Sequence, residues 1–163
     1  MYARKHLPLI GVGPIIVIPQ LILTIVGIIM TANGAIFNYS IEFLNIPFIL
    51  LGVFLIVYGF MLWYGANFKT NIDKYIKNNQ LATTGVYSLV RNPIYSSFFI
   101  FNIGVICIKN NLVLFIIPVI SWIYMTIILI NTEEKWLYNL YGKEYKLYCK
   151  KVNRCIPIKR NVI

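Results

Sequence analysis

The sequence has 163 residues, of which 59% are apolar, 15% are aromatic and 12% are charged. Soluble domains have about 45–50% apolar and about 25% charged residues, so these values exclude an ordinary soluble domain and, with so many aromatic residues, a disordered chain. The net charge of +10 fits either a nucleic-acid-binding protein or a membrane protein with basic cytoplasmic loops, and the positions of the charges distinguish the two.

Four stretches contain no charged residue: 7–32, 46–66, 94–108 and 112–130. A helix needs about 20 apolar residues to cross the hydrocarbon core of a bilayer. The first, second and fourth stretches are long enough alone. The third is shorter, and only residues 109–111 join it to the fourth, so the two are predicted to form a helical hairpin. Pro14 or Pro19 is expected to kink the first helix, because proline removes a backbone N–H donor.

The basic residues are distributed unevenly around these stretches. Fourteen of the fifteen precede the first stretch, separate the second from the third or follow the fourth, whereas Lys109 lies on the opposite side together with Glu42. Basic loops of membrane proteins face the cytoplasm. The pattern therefore predicts an all-α integral membrane protein with about four transmembrane helices and both termini in the cytoplasm. It does not support binding to nucleic acid.

The chain is predicted to form a single membrane domain, 1–163, with four parts: two N-terminal spans in 1–66, a cytoplasmic segment in 67–93, the hairpin in 94–130 and a cytoplasmic tail in 131–163. Neither cytoplasmic part is long enough for a core of its own, since chains below about 40 residues rarely fold alone. We expect the two to pack together at the membrane face. The single histidine, His6, and the absence of a Cys-x-x-Cys pair predict no metal site.

The cytoplasmic segment ends in Arg91, Asn92 and Pro93, with Tyr87 and Tyr95 on either side. Proline pushes the preceding residue into an extended conformation and fits the first turn of a helix. The chain should therefore enter the third helix at Pro93, where backbone N–H groups, Arg91 and the tyrosines suit a polar ligand with a carboxylate. Alternatively, Arg91 and the tyrosines only anchor the helix at the membrane interface.

The tail begins with Glu133 and Glu134, two of only five acidic residues in the chain. Adjacent helical residues point about 100° apart, so one carboxylate can face the bundle while the other pairs with lysines. Alternatively, both form a solvated charged cap. The fourth helix is expected to continue to Gly142, a typical helix stop. Residues 143–152 have the spacing of a short amphipathic helix that lies on the membrane surface.

Two blocks of sequence flank the predicted hairpin: Gly85-Val86-Tyr87-x3-Arg91-Asn92-Pro93-x-Tyr95, and Glu133-Glu134-x2-Leu137-x3-Tyr141-Gly142-x2-Tyr145. In this order they resemble the isoprenylcysteine carboxyl methyltransferase family, and phospholipid methyltransferases share much of the pattern. The resemblance covers residues 81–157. It implies an integral membrane enzyme that transfers a methyl group from S-adenosylmethionine to a lipophilic acceptor at the cytoplasmic face. The acceptor would be a carboxylate, such as an isoprenylcysteine-like group, or the amine of a lipid head group.

The same resemblance implies roles for individual residues. The cofactor-binding positions would be Leu81, Ala82, Tyr87, Asn92, Pro93, Tyr95 and Glu133. The candidate catalytic residues are Arg91 and Glu134. A carboxylate acceptor is already ionised at neutral pH and needs no base, whereas an amine must first lose a proton, for which Glu134 or a tyrosine is the candidate base.

Two positions depart from the family pattern. Asn92 replaces the usual histidine, and asparagine can form hydrogen bonds but cannot titrate. Leu129 occupies the position where members that methylate isoprenylcysteine have an arginine, which weakens the case for that substrate. Two other classes remain open: an NADPH-dependent membrane reductase, since steroid-reductase-like proteins end in a similar pattern, and a non-enzymatic membrane scaffold. Cofactor binding distinguishes them.

Overall fold

The computed structural model describes residues 11–158. This range contains seven α-helices: α1 Gly13–Ala32, α2 Asn45–Tyr64, α3 Ile72–Lys77, α4 Pro93–Lys109, α5 Ile116–Asn131, α6 Glu133–Tyr141 and α7 Lys143–Lys151. No β-strand occurs among the described residues, and one isolated β-bridge pairs Val90 with Asn153. The predicted all-α class is confirmed for this part of the chain. His6 lies outside the described residues.

Three helical stretches are long and apolar enough to cross a membrane by length and composition: Gly13–Ala32, Glu42–Lys69 and Leu112–Tyr141. Their outward side chains are exposed, as in Ile22 and Phe54, which are 55% and 63% accessible. Exposed apolar side chains on long apolar helices are typical of surfaces that face lipid. These features indicate an integral membrane protein. The fourth apolar helix, α4, has 17 residues, and four spans remain a prediction.

Helix α4 packs mainly against α2, although the chain joins it directly to α5. Small residues make this approach close. A Cβ atom on Gly52 would lie 2.6 Å from the carbonyl oxygen of Gly104, and one on Gly59 would lie 2.8 Å from that of Ser97. Small residues at helix interfaces let backbones approach closely inside membranes. The predicted hairpin turn is present, but the glycines make α2 the main packing partner of α4.

Helix α1 begins at Gly13, which is later than the start of the first charge-free stretch. Pro14 therefore lies in the first turn, a position that proline tolerates without a kink. Pro19 lies inside the helix and cannot donate to the carbonyl of Ile15. The Tyr124 hydroxyl of α5 donates to that carbonyl instead, at 2.8 Å. A side chain from a neighbouring helix thus replaces the hydrogen bond that the proline removes.

The predicted uninterrupted fourth helix is wrong. Helix α5 ends at Asn131, and α6 begins at Glu133 after a break at Thr132, where φ is −124° and ψ is −89°. The Thr132 hydroxyl donates to the Ile128 carbonyl at 2.6 Å. Such side-chain bonds compete with the backbone ladder. Helix α6 then ends at Gly142, with φ of 51°, as expected.

A helix occupies the predicted amphipathic segment, but its apolar face does not lie on a membrane surface. Tyr145 and Tyr148 of α7 and Val152, which directly follows it, are 3%, 7% and 6% exposed, because they pack inside the protein against Leu81 and Leu137. The spacing of apolar residues correctly indicated a helix with one apolar face. It could not distinguish a membrane from the rest of the chain as the surface that this face covers.

Candidate functional site

A cavity lies at the end of the bundle where α1 begins and α5 ends. It is bounded by the start of α1, by α3, by the connection from α3 to α4 and by α6 and α7. Among its described lining residues, Glu133 is the one acidic side chain and Arg91 is the one basic side chain. The cavity thus combines an apolar and aromatic wall with one charge of each sign.

The connection from α3 to α4 reaches the cavity through a tight turn at Gly85. This glycine has φ of +60°, and a Cβ atom there would lie 2.7 Å from the Thr70 hydroxyl oxygen. Glycine adopts this conformation readily and leaves room for the Thr70 hydroxyl, so the turn requires a residue without a side chain. A short 3₁₀ helix, Gly85–Ser88, follows and places the Tyr87 side chain on the cavity wall.

The two predicted cytoplasmic segments pack against each other as expected. The backbone N–H groups of Arg91 and Asn92 donate to the carbonyls of Asn153 and Arg154, at 2.9 and 3.2 Å. The Asn92 side-chain amide also donates to the Arg154 carbonyl, at 3.1 Å. Asn92 precedes Pro93 with φ of −123°, and α4 begins at that proline as predicted. These bonds hold the tail across the entrance to α4.

Glu133 faces the cavity from the first residue of α6. Its Oε1 atom accepts a hydrogen bond from the Tyr95 hydroxyl at 2.5 Å and another from the Val12 backbone N–H at 3.1 Å. The break at Thr132 changes the direction of the chain directly before Glu133. Glu133 therefore joins the start of α1, the start of α4 and the start of α6 through one carboxylate oxygen.

Glu134 points to the other side of α6 and does not line this cavity. It forms ion pairs with Arg91 at 2.9 Å and with Arg154 at 2.6 Å. The side chains of Arg91 and Glu134 are only 7% and 15% exposed. The expectation that the second carboxylate pairs with lysines is therefore wrong, because two arginines from distant parts of the chain are closer. A solvated charged cap is also excluded for Glu134.

Three tyrosines of the wall are buried phenols. Burial raises the pKa of Tyr87, Tyr145 and Tyr148 well above the ordinary value. For Tyr145 and Tyr148, Arg91 opposes part of this rise. The Tyr148 hydroxyl donates to the Tyr87 carbonyl. Since these hydroxyls stay protonated at neutral pH, they are hydrogen-bond donors and not bases.

The structure places every predicted cofactor-binding residue on the wall of one cavity: Leu81, Ala82, Tyr87, Asn92, Pro93, Tyr95 and Glu133. Arg91 lies there too, whereas Glu134 does not. Leu129 is fully buried in the apolar core between the helices, so the position where the family resemblance leads one to expect an arginine carries no polar side chain here.

Sequence reasoning missed several wall residues: Gly11, Gly13, Ile72, Ile76, Gln80, Trp136 and Tyr141. Helix α3 was not predicted at all. Trp136 and Tyr141 do follow Glu133 at i+3 and i+8, which is one face of a helix, so extending that face along α6 could have found them. Nothing local signals Gly11, since the two side chains nearest to its Cβ position, Tyr95 and Glu133, are more than 80 residues away in sequence.

Comparison with known proteins identifies the family. A model of the phospholipid methyltransferase family matches residues 41–144, which is more than half of the chain. Apolar helices of membrane length around a cavity define a membrane-embedded protein with a site at one end of the bundle. The chain belongs to the phospholipid methyltransferase family.

Curated relatives have a consistent name. The chain is 35% identical over 83 residues to the protein-S-isoprenylcysteine O-methyltransferase of Schizosaccharomyces pombe. It is 33% identical over 84 residues to a probable protein of that name from Oryza sativa subsp. indica, and 29% identical over 82 residues to form B from Arabidopsis thaliana. These matches cover 50%, 51% and 50% of the chain, but only 35%, 44% and 41% of the relatives. No solved structure matches the chain significantly.

Proposed function

We propose that this protein transfers a methyl group from S-adenosylmethionine to a lipophilic acceptor in the membrane, at the cytoplasmic face. One observation carries the proposal: the seven residues that the family resemblance assigns to the cofactor all line a single cavity. They come from the connection before α4, from α4 itself and from α6. Membership in the phospholipid methyltransferase family supports the same chemistry.

The cavity wall fits a polar, positively charged cofactor. The Tyr141 hydroxyl and the Arg91 Nε atom are buried without a hydrogen-bond partner among the described residues. Buried polar atoms are normally paired, so such orphans suit a ligand with polar groups. Glu133 would accept hydrogen bonds from an amino or hydroxyl group and favour the positive charge, while Tyr87 and Trp136 supply aromatic surface.

When bound, S-adenosylmethionine supplies an electrophilic methyl group on a sulfonium. The contribution of the chain is to position the reactants and to exclude water. Tyr87, Tyr95 and Asn92 would orient the cofactor, and the tail segment that pairs with Asn92 closes the cavity. The acceptor reaches the cavity laterally from the bilayer, since a lipophilic molecule partitions there.

A carboxylate acceptor fits the wall better than an amine. Glu133 is the one acidic side chain among the described wall residues, and its Oε1 atom already accepts two hydrogen bonds. Glu134 is occupied by two arginines and the buried tyrosines stay protonated. With Glu133 assigned to the cofactor, an amine would therefore have no carboxylate left on the wall as its base, whereas a carboxylate requires none. Leu129 weakens the case for isoprenylcysteine in particular, so the proposal names carboxylate acceptors as a class, of which the isoprenylcysteine group is one.

Cofactor binding tests the proposal directly. Purified protein in detergent should bind S-adenosylmethionine in a calorimetric titration and should not bind NADPH. Glu133→Gln should weaken binding by about 10- to 150-fold, because a hydrogen bond to a charged group contributes about 1.5–3 kcal/mol. Glu144→Gln, an exposed acid on α7, is the matched control and should leave affinity unchanged. NADPH binding in place of S-adenosylmethionine would support the reductase, and binding of neither would support the scaffold.

The acceptor class follows from the product. Membranes with and without the protein are incubated with methyl-labelled S-adenosylmethionine and extracted with organic solvent. A base-labile labelled methyl ester would identify a carboxylate acceptor, and a base-stable methylated amine would identify a head-group acceptor. Absence of any protein-dependent labelled lipid would contradict methyl transfer to a membrane acceptor.

The proposed orientation has a separate test. In a Cys149→Ser background, Lys109→Cys should react with a membrane-impermeant thiol reagent only from outside, and Lys150→Cys only from the cytoplasmic side. Both lysines are exposed and lie at opposite ends of the bundle. Reaction of Lys109→Cys from the cytoplasm would contradict four spans with cytoplasmic termini.

A further inference from the structure

The start of α1 touches the carboxylate that is proposed to bind the cofactor. The Val12 backbone N–H donates to Glu133 Oε1 at 3.1 Å, and the Tyr95 hydroxyl donates to the same atom at 2.5 Å. Val12 itself is 4% exposed. Two donors from two helices therefore fix the position of one carboxylate oxygen, at the end of α1 where its dipole also favours negative charge.

Gly11 makes this contact possible. Its φ is +56°, a conformation that glycine adopts at no cost. A Cβ atom at this position would lie 2.3 Å from Glu133 Oε1 and 3.2 Å from the Tyr95 hydroxyl oxygen. Any other residue would therefore displace the carboxylate, the tyrosine or the chain itself. The Glu133 carboxylate thus occupies space that is free because Gly11 has no side chain.

Neither Gly11 nor Val12 falls within residues 41–144, the part that matches the family model. We propose that the Gly11–Val12 segment is a positioning element of this chain, which holds the Glu133 carboxylate in the orientation that binds the cofactor. This inference rests on the proposed function. Fixing the carboxylate in advance reduces the ordering cost of binding, which is the usual benefit of preorganisation.

The alternative is that the contact only fastens α1 to the tail. A double-mutant cycle separates the two, because residues that act through one another have non-additive effects. If Gly11 acts through Glu133, replacing it should matter while the carboxylate is present and should matter little after Glu133→Gln. A purely structural role would weaken binding by the same factor in both backgrounds.

The experiment uses the full chain in detergent and titrates S-adenosylmethionine into the parent, Gly11→Ala, Glu133→Gln and the double variant. Gly11→Ala should weaken binding by about 10- to 150-fold in the parent, as loss of a hydrogen bond to a charged group does, and by less than about 3-fold after Glu133→Gln. The matched control is Gly34→Ala. Gly34 also has positive φ, +75°, but nothing lies within 4 Å of its Cβ position, so affinity should not change.

The outcomes distinguish the two proposals. A parent chain that binds no S-adenosylmethionine would overturn the proposed function and this inference together. Binding by the parent with unchanged affinity in Gly11→Ala, or with equal losses in both backgrounds, would overturn this inference alone. If Gly11→Ala does not fold, hydrogen exchange at the Val12 amide replaces it. Exchange should be slow in the parent and about tenfold faster or more in Glu133→Ala, and equal rates would overturn the inference.

Discussion

The two ends of the helix bundle are both closed by polar side chains, but they use them differently. At one end, Asn111 is fully buried, and both polar atoms of its amide are paired within the protein. Its Oδ1 accepts from the N–H groups of Tyr39 and Val113, and its Nδ2 donates to the Phe37 carbonyl and the Thr31 hydroxyl. At the other end, charged side chains line a cavity. Each end has a buried polar atom without a partner among the described residues, Asn110 Oδ1 at the first and the Tyr141 hydroxyl at the second, and the Tyr141 hydroxyl lies on the cavity wall.

This difference separates a structural closure from a candidate site. The amide of Asn111 is satisfied within the protein, so it stabilises a loop and leaves nothing for a ligand. Charged groups beside a cavity carry a desolvation cost, which natural proteins retain where it serves specificity or function. Substitutions at the asparagine end should therefore change stability alone, whereas substitutions at the charged end should change stability, ligand affinity or both.

The largest loss of stability is expected from Glu134→Gln. Removing this carboxylate leaves Arg91, which is 7% exposed, without its counter-charge, and breaking a buried ion pair in this way costs about 3–5 kcal/mol. Thermal unfolding in detergent measures the effect, with Glu144→Gln as an exposed control within about 0.5 kcal/mol of the parent. A loss no larger than in the control would mean that the arginine pair contributes nothing to closing the tail. Glu134→Gln is consequently not a neutral control for Glu133→Gln.

Asn111→Leu should rank second and should sharpen the comparison. It leaves the backbone groups of Tyr39, Val113 and Phe37 unpaired, for an expected cost of about 2–3 kcal/mol. Cofactor affinity of the folded fraction should equal that of the parent, because the substitution lies at the opposite end of the bundle. A combined loss of stability and affinity would show that the two ends are coupled.

Asn92 combines a structural hydrogen bond with a position on the cavity wall. Its amide donates to the Arg154 carbonyl, so Asn92→Leu should cost about 1–2 kcal/mol of stability and weaken cofactor binding. Asn92→His should be tolerated if a ring N–H replaces the amide donor. Unfolding and titration of both variants measure this. Equal affinity of Asn92→Leu and the parent would remove Asn92 from the cofactor site.

Much of this arrangement could be predicted from the sequence, and the rest depends on contacts between distant residues. Charge-free stretches located the long helices, and Pro93 and Gly142 marked a helix start and a helix stop, since these signals are local. The partner of Glu134 could not be predicted, because Arg154 and Arg91 reach it only after the tail folds back. Gly11 escaped for the same reason: its function depends on Glu133, which no local pattern connects to it.

The smallest predicted effect tests the hydrogen bond between α5 and α1 at Pro19. Pro19 leaves the Ile15 carbonyl without a helical donor, and Tyr124 donates to it at 2.8 Å. Tyr124→Phe should therefore cost about 0.6 kcal/mol, the average for side-chain hydrogen bonds between membrane helices.

Pro19→Ala supplies the control for this prediction, because an alanine at position 19 has the N–H that the Ile15 carbonyl needs. In that background Tyr124→Phe should have almost no effect, and the difference between the two costs, from unfolding in detergent, isolates the replacement bond. Equal costs in both backgrounds would mean that Tyr124 acts through its packing alone. A cost only beside the proline would show that α5 supplies the hydrogen bond that the sequence of α1 lacks, and that it does so with an uncharged group.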